Sequence, residues 1–99
     1  MKMNFKKNLR VLIVDHDQTF LDVAIRKLSQ RNFSVVTALS TEEAIDILNK
    51  ENIDAVVLNF NKANASGMKI IEFIHSLKKK PTILPLSSNG FEFFETQLA

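Results

Sequence analysis

The stretch DAVVLNFNKANASGM, from Asp54 to Met68, decides the fold of this chain. An apolar run rich in valine ends at Asn59, polar residues follow, and Gly67 stands where a helix can begin. Because apolar residues occupy consecutive positions, the run is typical of a strand buried on both faces of a sheet. Strand, polar loop and helix together predict one unit of a parallel α/β sheet.

The same unit recurs along the whole chain. Strands are predicted at 10–14, 33–39, 53–60 and 82–86, and helices from Thr19 to near Asn32, from Ser40 through Leu48, and from Gly67 or Met68 through Leu77. Ser40 and Glu43 form a capping box, with Thr41 as the competing cap. Pro85 lacks a backbone donor, which favours an edge position or a bulge for the fourth strand. The alternation predicts right-handed βαβ units, with helices on both faces of the sheet.

Composition narrows the class of protein. Ninety-nine residues, 45% hydrophobic and 24% charged, predict a single domain spanning 1–99, and a net charge of +2 is too small to indicate nucleic-acid binding. With no cysteine, disulfides, thiolate metal sites and a cysteine nucleophile are excluded. The start MKMNFKKNLR is polar and basic, and no apolar run approaches membrane-spanning length. We therefore expect a location in the cytoplasm or nucleus and no membrane partner.

Three polar loops follow predicted strands: DHD at 15–17, NFN at 59–61 and SSN at 87–89. In open parallel sheets the ligand site lies beyond the carboxyl ends of the strands. These loops are therefore the candidate functional site.

In order and spacing, the three loops resemble those of the receiver domain of two-component response regulators, over Leu9 to about Phe94. The resemblance implies a CheY-like, flavodoxin-like doubly wound sheet with strand order 2-1-3-4, in which the family's fifth strand and fifth helix are expected to be missing. The segments VLIVDHDQTFL and SSNG look most like the receivers of plant B-type response regulators and plant pseudo-response regulators.

The resemblance assigns a role to individual positions. Asp15 matches the first acid of the family's Mg²⁺ pair, His16 stands at the second acid, and Asn61 stands where a backbone carbonyl binds the metal. Asn59 falls on the phosphoacceptor position and Ser87 on the switch hydroxyl, whereas the lysine of the fifth strand has no counterpart.

These departures predict lost chemistry. Phosphoryl transfer needs an anionic nucleophile and a divalent cation, and an asparagine amide offers no competent nucleophile. Mg²⁺ usually rests on carboxylates, so the loss of two acids predicts a vestigial Mg²⁺ site that is weak or empty. We expect a pseudo-receiver without catalytic residues or a required cofactor, a protein interaction module rather than an enzyme.

The sequence leaves several alternatives open. One is that Asp15 or Asp17 accepts the phosphoryl group instead, and another is that the chain is a non-functional fragment of a longer plant transcriptional regulator. His16 is either an ordinary loop residue or a soft-metal ligand or pH sensor. Predicted partners are a histidine phosphotransfer protein, another response regulator, or a second copy bound through the edge strand or through Phe91 and Phe94. A small-ligand site is disfavoured because no glycine-rich phosphate loop is present.

Overall fold

The computed structural model describes residues 9–59 and 65–86. Within these ranges strands and helices alternate in the order β1 (Arg10–Val14), α1 (Gln18–Ser29), β2 (Ser34–Ala38), α2 (Thr41–Lys50), β3 (Ala55–Asn59), α3 (Ala65–His75) and β4 (Thr82–Leu86). None of the helices described is both long and apolar enough to cross a membrane.

The strands form a parallel sheet in the order β2-β1-β3-β4, which confirms the predicted strand order. Val14 pairs with Ala38 of β2 and with Leu58 of β3, so the carboxyl ends of the three strands lie level with one another. β4 lies at one edge of the sheet that the described residues form, and there Pro85 pairs with Leu58. The missing donor of Pro85 is tolerated at this edge, as predicted.

The consecutive apolar residues of the strands are explained by two cores, one on each face of the sheet. The core against α1 contains Val11, Ile13, Leu21, Ala24, Leu28, Ala55, Val57 and Leu84. The core against α2 and α3 contains Leu12, Ala38, Ala44, Leu48, Ile53, Val56, Leu58, Ile70 and Ile74. Because successive strand residues point to opposite faces, both odd and even positions must be apolar.

The start of α1 corrects the sequence prediction. Asp17, not Thr19, is the N-cap: its carboxylate oxygen Oδ1 accepts hydrogen bonds from the backbone N–H of Thr19 at 3.0 Å and of Phe20 at 3.3 Å. Threonine is an acceptable cap, but aspartate ranks above it, and Asp17 stands only two residues earlier in the chain.

The end of α1 is a Schellman-type stop. The backbone N–H of Phe33 donates to the carbonyl of Leu28 at 3.2 Å, and that of Asn32 donates to Ser29 at 3.2 Å. Asn32 has φ of 69°, a left-handed conformation that asparagine tolerates better than most residues. The turn then directs the chain into β2, with Phe33 packed against the core that contains Leu28.

The predicted capping of α2 is confirmed, and α3 begins earlier than predicted. The Ser40 hydroxyl accepts from the Glu43 N–H at 3.1 Å, and the Glu43 carboxylate accepts from the Leu39 N–H at 2.8 Å. α3 begins at Ala65 rather than at Gly67 or Met68. A glycine in the first turn of a helix does not have to be its first residue, since burial of the following face holds the turn in place.

A polar cluster lies at the end of the sheet where the strands begin. No sequence pattern predicted this cluster. The Arg10 guanidinium donates to Glu51 Oε1 from Nε at 3.0 Å and from Nη2 at 2.7 Å, and to Ser34 Oγ from Nη1 at 2.6 Å. The backbone N–H of Arg10 donates to Asp54 Oδ2 at 2.8 Å. Through Arg10 these contacts join β1, β2 and the segment before β3.

Candidate functional site

The carboxyl ends of β1 and β3 bring Asp15 and Asn59 to the same end of the sheet. Asp15 follows Val14 at the end of β1, and its backbone N–H donates to the carbonyl of Ala38 at 3.1 Å. Asn59 ends β3 one residue beyond Leu58, the partner of Val14. Asp15 and Asn59 are therefore neighbouring backbone positions at the same edge of the sheet, as the parallel register requires.

Asp15 is a buried acid at this edge. Its side chain is 3% exposed, and Oδ1 accepts a hydrogen bond from the backbone N–H of Asp17 at 3.0 Å. Oδ1 also lies 3.4 Å from Nδ1 of His16. A buried carboxylate needs compensating partners, and the Asp17 amide and the His16 imidazole both contact this oxygen. The backbone and side-chain contacts together hold the carboxylate in one orientation.

His16 differs from Asp15 in its exposure to solvent. Its side chain is 64% exposed, although Nδ1 faces the buried Asp15 carboxylate. The imidazole ring is therefore largely exposed, while its Nδ1 contacts a buried carboxylate.

Asp17 has a structural role that the sequence had left open. Its carboxylate accepts the two amides at the start of α1, as described above, and its backbone N–H serves Asp15. These contacts orient the Asp17 side chain toward the helix terminus. The signal was present in the sequence, since an aspartate shortly before an amphipathic helix is among the strongest N-cap patterns.

The remaining predicted site residues are only partly described. Asn59 is placed by its backbone at the end of β3, where it pairs with Leu86 at the end of β4. Asn61 and Ser87 lie outside the described residues, as do Phe91 and Phe94. Across residues 9–59 and 65–86, no three His, Asp or Glu side chains converge in a way that would hold a metal ion.

The architecture defines a class of protein: an α/β signalling domain of receiver type, with an acid loop after β1 and a polar residue at the end of β3. A family model described as the response regulator receiver domain matches residues 11–98. The chain belongs to this family, which confirms the resemblance, and receiver domains in general are signalling modules.

Two plant proteins illustrate the relationship. The chain is 33% identical over 82 residues to the two-component response regulator ORR26 of Oryza sativa subsp. japonica. The match covers 81% of this chain and 14% of that protein. It is 30% identical over 84 residues to the two-component response regulator-like protein APRR1 of Arabidopsis thaliana. That match covers 80% of this chain and 14% of the relative. The chain thus spans about a seventh of the length of these relatives.

A solved structure shows the same fold. A response regulator from Burkholderia pseudomallei, determined with a phosphorylated aspartic acid and a calcium ion, superimposes with a TM-score of 0.71 at 24% identity. The match covers 81% of this chain and 47% of that one. At this identity the similarity establishes the fold alone.

Proposed function

We propose that this receiver domain acts in two-component signalling without being phosphorylated at the usual position, as a protein interaction module. The observation that carries the proposal is the identity of Asn59 at the end of β3, beside the Asp15 loop. In the resembled family this strand end bears the phosphoaccepting aspartate. An asparagine there keeps the shape of the side chain and removes its anionic oxygen.

The chemistry of phosphoryl transfer explains the consequence. The attacking oxygen must be in line with the phosphorus, and the developing charge must be neutralised by a cation. The amide oxygen of asparagine is neutral, and its nitrogen lone pair is delocalised into the carbonyl. Asn59 therefore forms no acyl phosphate, and the usual acceptor position carries no nucleophile.

The donor set also fits Mg²⁺ poorly. Mg²⁺ prefers hard oxygen ligands in an octahedral arrangement and usually rests on one or two carboxylates. Of the described residues at this edge, Asp15 offers a buried carboxylate, His16 offers a nitrogen, and the Asp17 oxygen accepts helix amides. With Asn59 neutral, the edge holds too little negative charge for physiological Mg²⁺ binding, and Asn61 would add only a neutral carbonyl.

A second candidate function, phosphorylation of a neighbouring acid, is less well supported. Asp15 is buried and its Oδ1 is already held by the Asp17 amide and by His16. Asp17 is the N-cap of α1, so attack through the same oxygen would uncap the helix. Both acids belong to the β1 loop, where in-line attack on a phosphodonor docked for β3 would be poor.

The proposed partner is another protein of the pathway. A histidine phosphotransfer protein or a second response regulator would recognise the receiver surface, in the nucleus or in the cytoplasm. A shallow groove on α1, lined by Asp22, Ile25, Arg26, Ser29 and Gln30, offers an apolar contact between charged groups, and Ile25 is 37% exposed. Such a mixed surface suits a transient protein contact. Ser87 is a further candidate for switching, and Phe91, Phe94 and the edge strand β4 are further candidates for self-association.

The test is incubation with a small-molecule phosphodonor and Mg²⁺. Wild-type chain should acquire no acid-stable, base-labile label, whereas the double variant Asn59→Asp, His16→Asp should regain labelling if the scaffold remains competent. Asn49→Asp is a matched control, because it makes the same amide-to-acid change at an exposed position of α2. A base-labile label on the wild-type chain, located by mass spectrometry at Asp15 or Asp17, would support the second candidate instead.

A further inference from the structure

The strand β2 lies at the edge of the sheet opposite β4, and within residues 9–59 and 65–86 it pairs with β1 alone. The backbone N–H of Ser34 donates to the carbonyl of Leu9 at 2.8 Å, so the backbone groups of Ser34 point toward the chain of β1. Because these groups alternate in direction along a strand, Val35 and Thr37 point theirs away from β1. This outer side is the kind of edge to which a further strand can add.

The edge of β2 lacks the features that usually prevent strand addition. Charged side chains, proline and bulges protect most sheet edges, and β4 contains Pro85. The sequence of β2 is SVVTA, which has neither charge nor proline, and its first four residues are half-buried rather than fully covered. Three of its five residues are β-branched, a composition that favours strand pairing. Of the two edge strands, β2 is therefore the better template for a partner strand.

The segment around β2 is complementary to itself in antiparallel pairing. With Val36 at the centre, Phe33 lies opposite Leu39 of a second copy and Val35 lies opposite Thr37. These odd-numbered residues share one face of the strand. Leu39 is 45% exposed and Phe33 is half-buried, so each phenyl ring would cover the leucine of the other copy. In the same register Val35 and Thr37 form hydrogen-bonded pairs that exchange both backbone bonds.

The charges beside β2 favour the same arrangement. Arg31 lies before the strand, and Glu42 and Glu43 lie after it in the first turn of α2, all three exposed. Antiparallel pairing brings the start of β2 in one copy to the end of β2 in the other, so a basic end meets an acidic end twice across the two-fold axis. We propose that the β2 edge binds a second copy of this chain, which pairs antiparallel and joins two sheets into one.

The size of the contact sets its strength. A pair of seven-residue segments buries less than the roughly 1,200–2,000 Å² of a stable complex, so the dimer is transient and depends on concentration. The proposal goes beyond the proposed signalling function and does not depend on the loss of phosphorylation. It also differs from self-association through β4, because the two strands lie at opposite edges of the sheet.

The test follows self-association of the full chain by sedimentation velocity from about 10 μM to about 1 mM, with amide hydrogen exchange at each concentration. The Val35 and Thr37 amides should gain about tenfold protection as the dimer forms, because they enter a new ladder. Leu39→Gln should weaken the dimer by about threefold to thirtyfold, since its pair with Phe33 occurs twice. Met68→Gln is the matched control: this residue of α3 is 53% exposed, and the dimer should weaken by less than about twofold.

Charge reversal tests the antiparallel arrangement. Arg31→Glu and Glu42→Arg should each weaken self-association by about threefold or more, because like charges then meet at both ends of the paired strands. An equimolar mixture of the two variants should restore association, since opposite charges meet again in the mixed dimer. Circular dichroism of each variant checks that the fold is kept, as expected for exposed positions.

Three results would overturn the proposal. The first is a chain that stays monomeric at about 1 mM. The second is a dimer that Leu39→Gln leaves unchanged, and the third is protection that rises with concentration in β4 instead of β2. None of these results bears on labelling by the phosphodonor, so the two proposals fail independently.

Discussion

Removing the N-cap of α1 should destabilise the domain by about 1 kcal/mol in the variant Asp17→Ala. The Asp17 carboxylate accepts from two backbone amides at 3.0 Å and 3.3 Å, and both would lose their protein acceptor. The cap is exposed, so water replaces part of the lost energy and the cost stays near the middle of the usual range of roughly 0.5–2 kcal/mol. In a domain of this size the melting temperature should fall by roughly 4–8 °C.

Three comparisons make this prediction specific to capping. Asp17→Asn and Asp17→Ser keep a side-chain oxygen and should each cost less than about 0.5 kcal/mol, because all three residues are strong caps. Glu72→Ala removes an acid from an exposed position of α3 and controls for the change in net charge. Urea unfolding followed by circular dichroism measures the free energy of unfolding for each variant. If Asp17→Asn were as destabilised as Asp17→Ala, the charge of Asp17 and not its capping bonds would be the stabilising feature.

Further predictions concern the core and the amino-terminal edge of the sheet. Leu12→Ala should lower the free energy of unfolding by about 2–5 kcal/mol in a urea titration, since Leu12 is 0% exposed at the centre of the sheet. The control Leu9→Ala, at a residue that is 38% exposed, should lower it by less than about 1 kcal/mol. Arg10→Met should cost about 1 kcal/mol, because the guanidinium bonds to Glu51 and Ser34 are lost while the aliphatic packing is kept. A double-mutant cycle with Glu51→Ala should show a coupling of about 0.5 kcal/mol, smaller at high salt, and a coupling of zero would mean that the ion pair adds nothing.

The positions of the strands and the burial of both faces of the sheet followed from local pattern. Runs such as Val11 to Val14 and Ala55 to Leu58 are apolar at every position, and only a strand covered on both faces explains this. The family resemblance then supplied the order of the strands, which the backbone register confirms. Boundaries were less well predicted, because the starts of α1 and α3 depend on which nearby residue caps or packs best.

The sequence by itself determined the fold class, the family, and the amide at the end of β3 in place of an acid. These properties are carried by residue type and spacing, which no tertiary contact can alter. Only the tertiary structure decided that Arg10 joins two strands to Glu51, and that the Asp15 oxygen and the His16 nitrogen stand 3.4 Å apart. Such contacts depend on side-chain direction and on segments as many as 41 residues apart in the chain, as for Arg10 and Glu51, so no local pattern specifies them.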